Sequence, residues 1–377
     1  MLVIGAGPAG CAAGITAARA GARVLVVDRA QFPRAKTCGD AVSNRGAQLV
    51  DALVGQPDAL RSIPHAIVEA AAAVLPDGTR VSRSFADEPG FIVPRFGLDD
   101  LLRRALERSG ASLMQGVQVR ALELDGGRVV GATSDRGRWR ARVTITADGP
   151  GSLVWSALGR RYRRGRHLAV ATTGYYAGVE FGDARGVSEH YFEPELPAGY
   201  AWAFPPVAGL ANVGVYQRVD QFERGGHKLA HLLDRFLAHH PERFAKATRE
   251  GALRTWSLPL AVSLDPPAGP GVLAAGDAGS FVDPLAGEGI WQALFTGRLA
   301  AEHAAFTLAR PGEEAANIRA YQRACERAII WPSMARLGIQ EAMRALVASG
   351  AYRHPLVQRA LAWGYGGHSL EITKRTT

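Results

Sequence analysis

Short unbroken apolar runs, each closed by glycine or an acidic residue, recur along this chain where buried parallel strands are expected. Met1 to Ile4 is the first and leads straight into Gly5-Ala-Gly7-Pro8-Ala9-Gly10. A small-residue helix through Ala20 and a strand from Arg23 to Val27, closed by Asp28, follow. Arg140 to Ala147 reads as one strand ending in Asp148-Gly149. Val272 to Ala275 breaks at Gly276-Asp277 and passes a turn with Pro284, Gly287 and Gly289. A helix is expected from Ile290.

Between these runs the period shifts to alternation. Strands are predicted over Ala66–Val74, Arg80–Phe85 (after an Asp77-Gly78 turn) and Phe91–Val93. Leucines and alanines at helical spacing predict a helix over Leu98–Arg108. Ser112–Met114, Gln118–Asp125 and Arg128–Ser134 read as strands, the last two joined at Gly126-Gly127 as a hairpin. A second sheet is expected over Leu168–Trp256. Within it Tyr200, Trp202 and Phe204 alternate with alanine and so project from one face, as a core wall or a pocket wall. Asn212–Tyr216 is the expected partner strand and Leu229–His239 an amphipathic helix. After Arg310 the pattern is helical, with a kink or break at Trp331-Pro332 and a flexible finish over Trp363–Gly367.

Composition narrows the classes. With 377 residues and 47% hydrophobic content, this is an ordinary globular chain with room for two or three domains. Its formal charge of +9 is almost all arginine, and no nucleic-acid motif accompanies it. The basic run Gly159–His167 reads as a solvated face, or as a contact for phosphate or lipid headgroups. The scattered Cys11, Cys38 and Cys325 build no disulfide framework, so reducing cytosol is the expected compartment. No signal peptide, membrane span or metal site is expected; peripheral contact with membrane lipid stays open, as does oligomeric state.

The glycine run carries the first chemistry. Gly5 permits a tight turn, Gly7 lets a pyrophosphate approach the backbone, and Gly10 lets helix and strand close-pack. Pro8 fits the first helical turn, where no N–H is needed. Asp28, 18 residues beyond Gly10, is at the spacing of an acid that reaches a ribose 2′-hydroxyl, which favours FAD or NAD over NADP. Cys38 is either a small buried residue or a group on the cofactor face, its thiolate favoured by Lys36 and Arg34.

Three separated motifs agree: Gly5-x-Gly7-x-x-Gly10 with Asp28, Asp148-Gly149, and Gly276-Asp277 with Pro284, Gly287 and Gly289. Together they resemble the FAD-binding pattern of the glutathione-reductase-like flavoproteins, in the para-hydroxybenzoate-hydroxylase-like branch. FPRAKTCGD around Cys38-Gly39, and PxxYxWxFP at Pro197, Tyr200, Trp202, Phe204 and Pro205, are similar to the geranylgeranyl reductase family. The resemblance covers roughly the first 300 residues.

What the resemblance implies is an α/β fold. A discontinuous Rossmann-like FAD domain (1–64, 96–162, 255–305) would carry an antiparallel substrate sheet (65–95, 163–254) and a C-terminal helical region (306–377). Gly5, Gly7, Gly10 and Asp28 would hold adenosine and pyrophosphate, with Pro8, Ala9 and Arg29 beside them. Val119 would touch adenine and Arg95 would lie near the flavin. Asp277 would bind the ribityl or pyrophosphate portion, and Gly287 and Gly289 would approach the ring's pyrimidine edge. Cys38 and Gly39 would line the opposite side. Asp148, Gly149, Gly276, Pro284, Glu288 and Ile290 complete the expected set.

The implied activity is reduction of isolated C=C bonds in a prenyl or other hydrophobic substrate, with hydride from reduced flavin. Cys38, Tyr200, Trp202 and Phe204 are the expected catalytic residues, the aromatics facing the positive charge that develops on the alkene. No histidine or carboxylate stands out as proton donor, and protonation by water or Cys38 stays open. The electron donor is NAD(P)H or a reduced carrier. A flavin monooxygenase acting on an aromatic or polyketide substrate is the rival. A halogenase is disfavoured because no Trp-x-Trp-x-Ile-Pro stretch occurs. A flavin-holding module without turnover is the non-enzymatic alternative.

Overall fold

The computed structural model describes residues 1–182, 186–264 and 266–366. Its α/β architecture is organised by a six-stranded sheet. In order across the sheet run Ala268–Gly269, Val272–Ala274, Thr144–Thr146, Leu2–Ile4, Leu25–Asp28 and Ser112–Gln115. All pairings are parallel except that of the Ala268–Gly269 edge. The apolar runs form its centre because both faces are covered, Leu2–Ile4 and Thr144–Thr146 being buried throughout. Helices Pro8–Arg19, Arg95–Arg108 and Ile290–Ala309 contribute to the large core beside this sheet.

Glycines set how closely these pieces approach. A Cβ on Gly10 would stand 1.7 Å from the Gly5 carbonyl oxygen, and one on Gly297 2.2 Å from that of Ala9. Pro8 occupies the first turn of its helix, as the sequence predicts.

The second sheet has seven strands. Their order is Thr248–Pro259, Leu168–Ala177, Leu210–Arg218, Gly199–Val207, Val187–Tyr191, Ala70–Val74 and Arg80–Ser84. It is antiparallel save for Val187–Tyr191 against Ala70–Val74, which run parallel. Two small three-stranded sheets complete the strands: the hairpin assembly Val119–Asp125, Arg128–Ser134 and Gly137–Arg140, and Ala41–Val42, Gly90–Ile92 and Ala66–Val68.

Two predicted strands are each two. Ala66–Val74 divides at Glu69, whose N–H bonds to Gly186 O (2.8 Å) while its carbonyl accepts from Phe85 N (2.8 Å), so the chain changes sheets there. Arg140–Ala147 divides because its first part pairs with the preceding hairpin strand and its second enters the parallel sheet beside Leu2–Ile4. A continuous pattern of side chains does not reveal that its two halves have different partners.

The C-terminal region is helical: Glu314–Cys325, a π-turn over Glu326–Ile330, then Trp331–Ser349 and Pro355–Gly366. The expected break at Trp331-Pro332 is instead that π-turn, which passes into the next helix on continuous helical backbone, with Pro332 at that helix's second position. The predicted flexible finish is helical as far as Gly366; Gly367 lies outside the described residues. No helix among the described residues is long and apolar enough to cross a membrane.

Replacing Gly297 by alanine forces helix Ile290–Ala309 off the first turn of Pro8–Arg19 and is expected to destabilise the protein by about 1–3 kcal/mol. Urea unfolding measures this, and an unchanged midpoint would remove the close helix crossing as a constraint.

Candidate active site

A cavity of about 1230 Å³ lies where the parallel sheet's strand ends meet the face of the seven-stranded sheet. It is larger than the roughly 300–1,000 Å³ of most small-ligand clefts. One end is built by the turn after Leu2–Ile4. Gly5, at φ +99°, can take this turn because it has no side chain; a Cβ there would stand 2.2 Å from Ala147 O. A Cβ on Gly7 would find nothing nearer than 3.9 Å, and one on Gly149 nothing within 4 Å, so both present open backbone. Gly7 caps the twelve-residue helix Pro8–Arg19, whose positive end faces the same space. Asp28 ties the turn down: its carboxylate accepts from Ala6 N (2.6 Å) and Ala30 N (2.7 Å).

Gly5, Gly7, Pro8, Ala9, Asp28, Arg29, Val119, Asp148 and Gly149 all line this end. Gly10 does not; its place is against the Gly5 backbone. Asp148 accepts from Ser152 Oγ (2.5 Å) and Leu153 N (3.0 Å), and burial pushes its carboxyl above the usual range.

Towards the second sheet the walls are Cys38, Gly39, Arg95, Gly276, Asp277 and the run from Gly287 to Ile290. Pro284 lies behind them, its carbonyl accepting from Tyr216 OH (2.8 Å) and Gln340 Nε2 (2.7 Å). Glu288 accepts from Ser43 Oγ (2.5 Å). Asp277 is raised by burial while Lys36 and Arg95 pull it back. Lys36 Nζ stands 3.4 Å over the Trp256 ring, and burial, then the Arg95 charge, lowers its ammonium to about 8. Arg95 forks onto Asp99 with two 2.8 Å bonds.

Tyr200, Trp202 and Phe204 project together from strand Gly199–Val207 into the cavity wall. Trp202 and Phe204 stack with centroids 6.0 Å apart, and His190 meets Tyr200 and Phe204 edge-on at 5.1 and 5.4 Å. Burial holds His190 down to about 4, so this imidazole is neutral near pH 7. Tyr200 donates to Ala286 O, which fastens the aromatic strand to the glycine-rich turn. Trp202 lies over Gly214, where a Cβ would stand 2.4 Å from Cζ2.

Cys38 lines the cavity as expected, but not as a favoured thiolate. Burial is the largest influence and raises its thiol; Arg95 and Lys36 oppose this without prevailing, and Asp40 adds to it. Beside it on the cavity wall begins a group of residues to which the sequence attached no role. Asp40, fully buried at φ +64°, accepts on Oδ2 from Tyr175 OH (2.5 Å) and Asn212 Nδ2 (2.9 Å). Asn212 also donates to Cys38 O (2.8 Å) and accepts from Trp202 Nε1 (3.0 Å) and Thr173 Oγ1 (2.7 Å). Asp40 closes the FPRAKTCGD stretch, yet its partners are 135 and 172 residues away, so the local pattern marks its position and not its role.

The family model described as FAD dependent oxidoreductase matches residues 1–253. Menaquinone reductase of Mycolicibacterium smegmatis is 34% identical over 320 residues, covering 80% of this chain and 75% of that protein. Digeranylgeranylglycerophospholipid reductase 1 of Methanopyrus kandleri is 30% identical over 329 residues, covering 85% and 84%. A geranylgeranyl bacteriochlorophyll reductase-like structure from Thermoplasma acidophilum superposes with TM-score 0.81 at 22% identity, covering 97% and 96%. A flavin-dependent brominase does so with TM-score 0.78 at 21% identity, covering 98% and 94%. The two structures agree with this one in fold.

Gly214→Ala puts a methyl group inside the Trp202 ring. It is expected to cost about 1–3 kcal/mol and to change the near-ultraviolet circular dichroism of the aromatic cluster. Unaltered spectrum and stability together would show that Trp202 is not seated by this contact.

Proposed function

This chain belongs to the FAD-dependent oxidoreductase family, and from that premise we propose that it reduces isolated C=C bonds of an isoprenoid chain. FAD is its cofactor. The observation that carries the reading is that relatives at 30–34% identity, matched over most of their length, are reductases named for menaquinone and for digeranylgeranylglycerophospholipid. Both molecules bear isoprenoid chains. The brominase shares the fold alone and supplies no comparable support.

The residues present fit the cofactor. Open backbone at Gly7 and Gly149, a helix N-terminus and the braced Asp28 turn suit a pyrophosphate and its adenosine. Pro8, Ala9, Arg29, Val119 and Asp148 border the same end. Cys38-Gly39, Gly276-Asp277 and Gly287 to Ile290 border the other, with Asp277, Lys36 and Arg95 supplying charge. When bound, reduced FAD supplies a hydride to carbon.

Everything else is the chain's own task. Tyr200, Trp202 and Phe204 give an apolar wall that lays the alkene flat and excludes water. Their ring faces stabilise positive charge developing at the more substituted carbon. The fixed hydrogen bonds of Trp202 to Asn212 and of Tyr200 to Ala286 keep that wall in place before substrate arrives.

Trp202→Ala is expected to retain FAD and to lose about 1–2 kcal/mol of transition-state stabilisation, roughly five- to thirtyfold in turnover. The assay is anaerobic reduction of menaquinone or a digeranylgeranyl glycerophospholipid with dithionite as reductant. Product formed only when oxygen is admitted would sink the reductase reading in favour of an oxygenase.

A further inference from the structure

Adding hydrogen across a C=C bond takes a hydride and a proton, and only the hydride comes from the cofactor. The proton must be held by the protein next to a slot from which water is excluded. Near the aromatic wall, His190 is neutral and Tyr200 is already spent on the Ala286 carbonyl. Asp40 differs from both. Its side chain is shut off from solvent, and its two oxygens are not equivalent. Oδ2 accepts from Tyr175 and Asn212, whereas Oδ1 is buried and closes no hydrogen bond of ordinary geometry among the described residues, with the backbone N–H of Arg95 turned towards the carboxyl. A buried carboxyl oxygen without a well-formed hydrogen bond is costly as part of an anion and natural as the oxygen that carries a proton.

Asn212 makes the link to the reaction site. One amide bonds the Asp40 carboxyl, the Cys38 carbonyl and the Trp202 indole, so carboxyl, thiol loop and aromatic wall are fixed relative to one another. Cys38 and Asp40 line the same stretch of the cavity, with Gly39 alone between them in the chain, and each charge is felt by the other.

We propose that Asp40 holds the proton consumed in the reduction and passes it to the substrate through the Cys38 thiol. The role rests on the reductase reading above. In balance, the Cys38 S–H bond breaks as a C–H bond forms at one alkene carbon, while hydride from the reduced cofactor forms the C–H bond at the other. The thiolate then takes the Asp40 proton, and Arg95 beside it steadies the transient charge. The Asp40 carboxylate, braced by Tyr175 and Asn212, regains a proton from water before the next turnover. Asp40 is thus a positioning residue acting through Cys38.

The groups facing Asp40 are Tyr175 and Asn212 from the sheet, Arg95 from helix Arg95–Arg108, and Cys38 on its own loop. Burial, the largest influence, lifts its carboxyl to about 6, while Tyr175, Asn212 and Arg95 pull it down. The protonated form is the donor, so turnover falls as pH rises through that value. A donor with such a value sits close to working pH, where proton transfer is most effective.

The test uses the FAD-loaded enzyme, dithionite, and menaquinone or digeranylgeranyl glycerophospholipid in detergent micelles, without oxygen. Asp40→Asn, which keeps shape, is expected to lower turnover about a hundredfold and abolish the alkaline limb. Tyr175→Phe removes a donor that favours the carboxylate and is expected to move the limb to higher pH while activity persists. Infrared titration of the flavin-free protein is the readout independent of turnover: a protonated-carboxyl band titrates near 6 in the wild type and is missing from Asp40→Asn. Should Asp40→Asn keep the wild-type rate and limb, or Tyr175→Phe leave the limb in place, the proton role is overturned. A wild type that reduces neither substrate overturns the reductase reading and the use of the proton with it. The infrared band then separates that failure from a wrong assignment of the carboxyl.

Discussion

The structure depends on backbone passing backbone at distances that admit no side chain. Gly5 turns against Ala147, Gly10 lies on the carbonyl of Gly5, and Gly297 rests on that of Ala9. Gly276 adds a fourth close approach, with a Cβ there 2.9 Å from that of Ala9. These crossings draw the ends of Leu2–Ile4, Thr144–Thr146 and Val272–Ala274 to one point and set the helix between them. Glycine in a helix weakens it by about 1 kcal/mol, so the helix tolerates Gly10 for the packing it allows rather than for its own stability. The convergence of strand ends makes the cavity, and the chemistry is then added to it from elsewhere in the chain.

The other wall is attached by hydrogen bonds rather than by close packing. Tyr200 and Tyr216 reach from the seven-stranded sheet to the carbonyls of Ala286 and Pro284, and Asn212 reaches to Cys38 and Asp40. A buried polar group left unpaired costs about 1–3 kcal/mol, so these bonds define the docking of sheet on turn more sharply than apolar contact would. The result is directional: the aromatic face meets the glycine-rich turn in one register. A rigid apolar wall of this kind can orient a ligand that offers few polar handles.

Much of this could be read from the residues alone. The glycine run, Asp28, Asp148 and Asp277 announce themselves because each sits at the end of a short apolar run, and the Tyr200–Trp202–Phe204 alternation gives its face directly. Strand boundaries failed at Glu69 and near Arg140, where one uninterrupted pattern serves two sheets. For Cys38 the surrounding residues leave burial and the cavity face both open, the resemblance alone favouring the latter, and its protonation is not legible because neighbouring cations in sequence do not report burial. What Asp40 and Asn212 do was beyond reach for a related reason. Each is an ordinary polar residue locally and acquires meaning only when segments 172 residues apart meet.

Charge in the cavity follows the same logic of contact over composition. Arg34 and Arg95 both bind Asp99, at 2.9 and 2.8 Å, which leaves one positive charge uncompensated within that trio. Lys36 stands close by, its charge resting on the face of Trp256. Burying unpaired cations is unfavourable, and the depressed Lys36 ammonium records that cost. The arrangement becomes favourable when negative charge arrives, as phosphate or as electron density on a ring being reduced. Asp277 and Cys38 are too few and too readily protonated to supply it, since burial raises both. The cationic side of the cavity is therefore stabilised by what binds there, and the protein's net arginine excess, unremarkable on the surface, matters at these few buried positions.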